Sequence, residues 1–193
     1  MALGNAPESG YGVILADPPW SFVTYSEKGK EKKSAENHYP CMGLQEIKNL
    51  PITALAAKDC ALVLWVTAPF FEKGLEVMRA WGFTYKTIGA WAKRSRQDNS
   101  WAFGTGYIYR NAAEFWIVGT RGKPTIKSRS VRNLIVAPIR EHSRKPDEMR
   151  ENIEAIWEGP YLELFARERA PNWDVWGNET DKFSKKTLIT KAE

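Results

Sequence analysis

The sequence predicts an α/β fold: a mostly parallel sheet of about seven strands with helices on both faces. Three observations predict it. Continuous apolar runs such as Ala61 to Val66 read as strands buried on both faces. Strand-like runs alternate with segments of helical spacing, and that alternation calls for parallel crossovers. The 193 residues are enough for one sheet with covering helices in a single domain.

Tyr11 to Ala16 is the first strand. It stops at Asp17, because Pro18 and Pro19 lack N–H donors and fix φ. Trp20 then stands on a stiff loop. Open α/β sheets bind ligands beyond the carboxyl ends of their strands, so Asp17, Pro18, Pro19 and Trp20 form a candidate site. A proline turn followed by a core tryptophan accounts for the same four residues. Ser21 to Asn37 is polar and carries Lys28, Lys30, Lys32 and Lys33; it reads as a loop, either substrate-facing or a solvated surface excursion.

Leu44, Ile47 and Leu50 have helical spacing, stopped by Pro51, and Ile52 to Ala57 adds another turn. After the strand Ala61 to Val66, Pro69 sits near the start of a helix with Phe71, Leu75 and Met78 on one face and Gly82 as its stop. Thr84 to Ala92 is a strand. The loop Lys93 to Arg110 interleaves Lys93, Arg94, Arg96 and Arg110 with Trp101, Phe103, Tyr107 and Tyr109. That composition suits a nucleic-acid strand, charges meeting phosphates and rings meeting bases, or else a lid packed by its own aromatics. Glu114 to Val118 is a strand, followed by a third basic stretch (Arg121, Lys123, Lys127, Arg129, Arg132) and the strand Leu134 to Ala137. Pro146 opens a helix with Asp147 and Glu148 in its first turn and Met149, Ile153, Ile156 and Trp157 on its buried face. Gly159-Pro160 turns into the strand Tyr161 to Phe165, and Trp173 to Trp176 is the last. The reading divides the chain into a flexible start (1–10), one domain (11–180) and a polar tail (181–193).

Several function classes are excluded. There is no Gly-x-Gly-x-x-Gly after a strand, no phosphate-binding Gly-x-x-x-x-Gly-Lys and no nucleophile elbow. Cys41 and Cys60 stand alone and His38 and His142 lie far apart, so no metal site or disulfide framework is expected. No apolar run reaches 18 residues and the start does not read as a signal peptide; the expectation is a cytoplasmic protein without membrane contact. The net charge of +5 favours a polyanionic partner. Of nine tryptophans, Trp65, Trp81, Trp116 and Trp157 are expected in the core.

One chemistry suits the Asp17 corner. The exocyclic amine of a nucleobase is a poor nucleophile, because its lone pair is delocalised into the ring. Two acceptors on its two hydrogens, the Asp17 carboxylate and the Pro18 carbonyl, favour a pyramidal nitrogen and aim the lone pair outward. Trp20 is placed to stack on the ring. The partner is a methyl on a sulfonium, and positioning supplies most of the rate.

The ordered motifs resemble a known family. Val13 through Trp20, His38-Tyr39-Pro40, Leu64-Trp65-Val66-Thr67, Trp91-Ala92-Lys93, Glu114, Ser143 through Glu148, Glu163 through Arg167 and Pro171-Asn172-Trp173 through Glu179 make the chain similar to the catalytic subunit of the eukaryotic mRNA adenosine N6-methyltransferase and its bacterial and phage relatives. The resemblance implies a Rossmann-like S-adenosyl-L-methionine (SAM) methyltransferase fold in permuted motif order, releasing S-adenosyl-L-homocysteine. It implies that Asp17 to Trp20 hold the target adenine and that Asp17 also touches the cofactor. Tyr39, Lys93 and Glu114 then line the acceptor pocket. Lys145 meets the cofactor's methionine end and also borders the substrate, and Phe165, Arg167, Asn178 and Glu179 hold its ribose and adenine. Glu163 is either a further cofactor contact or a structural ion partner. The chain departs from the family at Ala166 (a glycine there), at Arg169-Ala170 (His-Asn there) and at Glu179 (a glutamine there). No upstream cofactor segment fits before Tyr11, so the remaining cofactor wall is expected from elsewhere or is absent. The expected substrate is DNA, presented single-stranded or as a flipped-out adenine. RNA, a small-molecule or protein acceptor, and a non-catalytic nucleic-acid-binding subunit are the alternatives. A homodimer is compatible with the pseudo-symmetric pairing of the eukaryotic enzyme.

Overall fold

A computed structural model describes residues 6–21, 41–106, 108–141 and 143–183. The strand β1 (Tyr11–Ala16) lies near the centre of a seven-stranded sheet. Around it are β2 (Ala56–Val66), β3 (Thr84–Arg94), β4 (Ala113–Arg121), β5 (Leu134–Pro138), β6 (Tyr161–Leu164) and β7 (Trp173–Trp176), in the spatial order β5-β3-β4-β2-β1-β6-β7. Four neighbouring pairs are parallel, and β4 runs antiparallel to both β2 and β3. All seven expected strands are present. The reversal of β4 accords with its connection, which has no crossover helix among the described residues of 95–112.

Period-two alternation divides β1 between two cores. Ile14 and Ala16 pack on one face with Leu62, Leu64, Ile117 and Leu162, covered by α1 (Leu44–Lys48), α2 (Ile52–Leu55) and α3 (Phe71–Ala80) through Ile47, Ile52, Val77 and Met78. Val13 and Leu15 face the other side, with Val63, Trp65, Trp91, Trp116 and Val118 under Met149 and Ile153 of α4 (Glu148–Ile156). Helices thus cover both faces, and each buried Val, Leu or Ile contributes about 1.5–3 kcal/mol. Trp65, Trp81, Trp116 and Trp157 are all buried. The Trp81 indole donates to the Ile47 carbonyl at 2.9 Å, fastening α1 to α3. Gly82 ends α3 at φ +84°, a conformation that disfavours any side chain.

The reversed strand matters for the site. The parallel strands β1, β2, β3 and β6 end at one edge, and antiparallel β4 begins there, placing Glu114 opposite Trp91. Asp17, Lys93, Glu114 and the turn after β6 therefore share one edge of the sheet.

Candidate active site

Asp17 follows the last residue of β1, and its neighbours fix its surroundings. Leu15 pairs in register with Glu163 of β6, so Glu163 lies on the face that α4 covers. Lys145, three residues before α4, reaches over this face to the strand ends. Its Nζ donates to Asp17 Oδ2 at 2.6 Å, lies 3.3 Å from Glu114 Oε2 and sits 5.3 Å from the Trp65 ring centroid. Glu114 also accepts a short hydrogen bond from Lys93. The result is a ladder of alternating charge: Lys93, Glu114, Lys145, Asp17. Burial alone pushes the Glu114 carboxyl up, but the Lys145 and Lys93 ammonium groups outweigh it and hold it at about 2. Burial pulls Lys145 down, and Asp17 and Glu114 more than restore it, so Lys145 stays charged.

This arrangement gives a pH prediction. Glu114 has a lowered folded-state value, so its stabilising contribution is fully present above about pH 4.5 and is lost as pH falls towards about 2. Thermal unfolding between pH 7 and pH 3 is expected to show a steeper acid loss for the native chain than for Glu114→Gln. Parallel curves would remove the ladder as the cause.

A second charge cluster adjoins the first. The Arg150 Nε of α4 donates to Glu163 Oε2 at 2.8 Å and its Nη1 to Glu168 Oε1 at 3.2 Å; Arg144 Nη2 donates to Glu168 Oε2 at 3.0 Å. Burial pushes the Glu163 carboxyl up despite Arg150, and the Asp17 charge adds to the rise. Glu163 is an ion partner of Arg150 and also borders a small cavity with Asp17, Lys145, Phe165 and Arg167. The sequence reading missed Arg150, Arg144 and Glu168. The available signal was Arg150 itself, a charged residue beside Met149 at the start of an apolar helix face.

The turn between the clusters carries Phe165 at φ +62°, in the left-handed region where a bulky side chain is rare. A cavity of about 340 Å³ lies beside it, lined by Asp17, Pro19, Met42, Phe165, Arg167, Trp176, Asn178 and Glu179 among others. Phe165 and Trp176 meet edge to face at 5.4 Å. Gly177 lets the far wall close, since a Cβ there would fall 2.3 Å from the Ala166 carbonyl oxygen. The structure therefore brings together Asp17, Phe165, Arg167, Asn178 and Glu179 in one cavity, with Lys145 and Glu163 in the adjoining one. Arg167 Nε is 3.9 Å from Glu179 Oε2.

The donor set fits a nucleoside bearing an amino-acid tail. Two aromatic rings and an amide border the cavity, the Glu179 carboxylate keeps lone pairs for hydroxyls beyond its bonds from Lys182 Nζ at 2.7 and 2.8 Å, and Lys145 supplies positive charge for a carboxylate. The departure at Glu179 leaves that wall an acceptor.

One expectation is revised. Trp20 does not offer a face for stacking: its ring is 5% exposed, packs in the core and stacks on Phe70 at 5.6 Å. Its apolar bulk gains more from burial than from standing on the loop. Its backbone serves the corner instead, donating to the Pro18 carbonyl at 2.9 Å, while Pro19 accepts from Met42 N–H at 2.9 Å. Lys145 is paired with Asp17 and Glu114, as a buried ammonium takes its nearest anions. Glu114 reaches the corner through Lys145, and Lys93 through Glu114; neither lines the two cavities described above. Tyr39, His38 and His142 lie outside the described residues, as do the four lysines of the first basic loop.

A mostly parallel sheet with a charged corner and a nucleoside-sized cavity at its carboxyl edge defines an α/β enzyme of the Rossmann-like class. The model of the MT-A70 family matches residues 11–179, and the chain belongs to that family and is a methyltransferase. It is 30% identical to the type II methyltransferase M.MunI of a Mycoplasma species, covering 90% of this chain and 79% of that one. It is 35% identical to a probable N(6)-adenosine-methyltransferase MT-A70-like protein of rice and 31% to the human N(6)-adenosine-methyltransferase catalytic subunit METTL3. Those matches cover 81% and 89% of this chain but only 21% and 28% of the relatives, so the chain spans about a quarter of their length.

Proposed function

We propose that the chain transfers a methyl group from SAM to the N6 amine of adenine in DNA. The observation that carries this reading is Asp17, which borders the nucleoside-sized cavity and is held by Lys145 at 2.6 Å. A substrate amine at this corner meets the Asp17 carboxylate and the Pro18 carbonyl, whose second lone pair remains after the Trp20 N–H is bonded. These acceptors take the two amine hydrogens and turn the nitrogen lone pair away from the ring. SAM, when bound, would supply an electrophilic methyl, the C–S bond breaking as the N–C bond forms and the proton of the methylated amine leaving afterwards to solvent. Asp17 need not remove a proton first, because the amine becomes acidic only once methylated. Lys145 fixes the carboxylate, and Glu114 and Lys93 fix Lys145, so the corner is set before substrate arrives. Phe165, Arg167, Asn178 and Glu179 would hold the nucleoside part of the cofactor.

DNA is favoured over RNA by the type II methyltransferase relative, which matches over most of both chains. A duplex target must be flipped out at a cost of a few kcal/mol, so single-stranded DNA is expected to react at least as fast as duplex. Transfer from labelled SAM to matched single-stranded DNA, duplex DNA and RNA, with nucleoside analysis, tests both points. N6-methyladenine in single-stranded DNA is the expected result. Product in RNA alone overturns the substrate, and SAM binding without product in any polymer overturns the reaction.

A further inference from the structure

The arm between β3 and β4 projects from the same sheet edge as Asp17 and is built, not loosely draped. Ser95 N–H donates to the Ser100 carbonyl at 2.8 Å and Ala102 N–H to Lys93 at 2.9 Å. Gly104 N–H donates to Asn111 at 2.8 Å. Two contacts fasten its root to the segment that leads to Lys145: Ile139 N–H donates to the Arg94 carbonyl at 3.0 Å, and Arg96 Nη2 donates to the Arg140 carbonyl at 3.1 Å. Trp101 and Phe103 stand in solvent on this frame, 58% and 80% exposed, and Ile108 and Tyr109, beyond the Gly104–Asn111 bridge, are 79% and 85% exposed. Clustered exposure of this kind marks an interaction surface. Arg94 lies over the Trp101 ring at 4.7 Å and Arg110 over the Phe103 ring at 5.3 Å.

We infer that this arm is the track for the single-stranded DNA flanking the target adenine, with its rings stacking on bases and its arginines meeting phosphates. The inference rests on the DNA methyltransferase reading. Three arguments choose the occupant. The arm carries Arg94, Arg96 and Arg110 against one carboxylate, Asp98, so it attracts a polyanion and repels a second copy of itself. Rings with a cation on one face and solvent on the other match base stacking, which is tolerant of sequence. The arm begins next to Lys93 and ends before Glu114, which reaches Asp17 through Lys145. A strand lying on it therefore leads to the reactive corner. Bases paired in a duplex keep their faces covered, so the track selects unpaired strands.

The test uses Phe103→Ala/Tyr109→Ala and, separately, Arg110→Ala in the full chain. Binding of a fluorescein-labelled oligothymidylate is read by anisotropy across a salt series; this probe lacks adenine and so is independent of catalysis. SAM binding and sedimentation are read in parallel. The aromatic variant is expected to lose at least about tenfold in affinity with its salt slope intact. The arginine variant is expected to lose affinity with a shallower slope. In both, SAM binding and oligomeric state stay as in the native chain. Native affinity in the aromatic variant overturns the track, as does a loss of affinity accompanied by loss of a dimer, which would assign the arm to a second copy. Failure of methylation on every polymer, with oligothymidylate binding and its variant losses retained, overturns the enzymatic reading and leaves the track standing.

Discussion

Asp17→Ala is expected to lower kcat/KM for methyl transfer by at least about a thousandfold, or about 4 kcal/mol of transition-state stabilisation. The size follows from its position. In the proposed reaction Asp17 offers one of two acceptors for the amine, and the other, the Pro18 carbonyl, already takes the Trp20 N–H. Without the carboxylate the amine keeps its planar, delocalised form. The substitution also alters the ladder, since Lys145 then answers to Glu114 alone. Asp17→Asn separates these effects: it keeps an acceptor oxygen but withdraws the charge that fixes Lys145, so it should fall between the native chain and alanine. Single-turnover rates at saturating SAM are the measurement, with melting temperature and SAM affinity measured alongside. Turnover within tenfold of native in Asp17→Ala would remove Asp17 from the reaction.

Much of this corner was legible in the sequence, for local reasons. A strand cut short by two prolines leaves its last carboxylate at a sheet edge whatever the rest of the chain does. The apolar runs marked the strands because those strands are buried on both faces. What local pattern did not carry was direction and company. The reversal of β4 accords with the 95–112 connection, and Glu114 reaches the site only because of it. Trp20 had two homes compatible with its sequence, and packing against Phe70 decided between them. Glu163 had a structural and a cofactor reading from its sequence; in the fold it pairs with Arg150, and Lys145 pairs with two carboxylates 31 and 128 residues away. Pairings at that separation leave no mark on the spacing of charges along the chain.

Arg150→Met shows what such a pairing is worth. Arg150 is the one side chain bonded to both Glu163 and Glu168 among the described residues, and Arg144 continues to serve Glu168 when it is removed. Glu163 is left buried with Asp17 as a repelling neighbour. Breaking a buried pair from one side costs about 3–5 kcal/mol, because an uncompensated charge remains. For a chain of this length that is a fall in Tm of roughly 10 °C. The loss has a signed pH dependence. The Glu163 carboxyl already sits above its ordinary value, and removing Arg150 raises it further. A group raised in the folded state weakens stability as pH rises from about 4.5 through its folded value. Arg150→Met should therefore be less impaired near pH 5 than at pH 8. Adding Glu163→Gln should recover part of the lost Tm, since an amide carries no charge to strand. The turn at Phe165 lies between Glu163 and Glu168, so SAM affinity should fall with Tm and return with the second substitution. A melting temperature within about 2 °C of native for Arg150→Met would mean that water, not Arg150, satisfies Glu163.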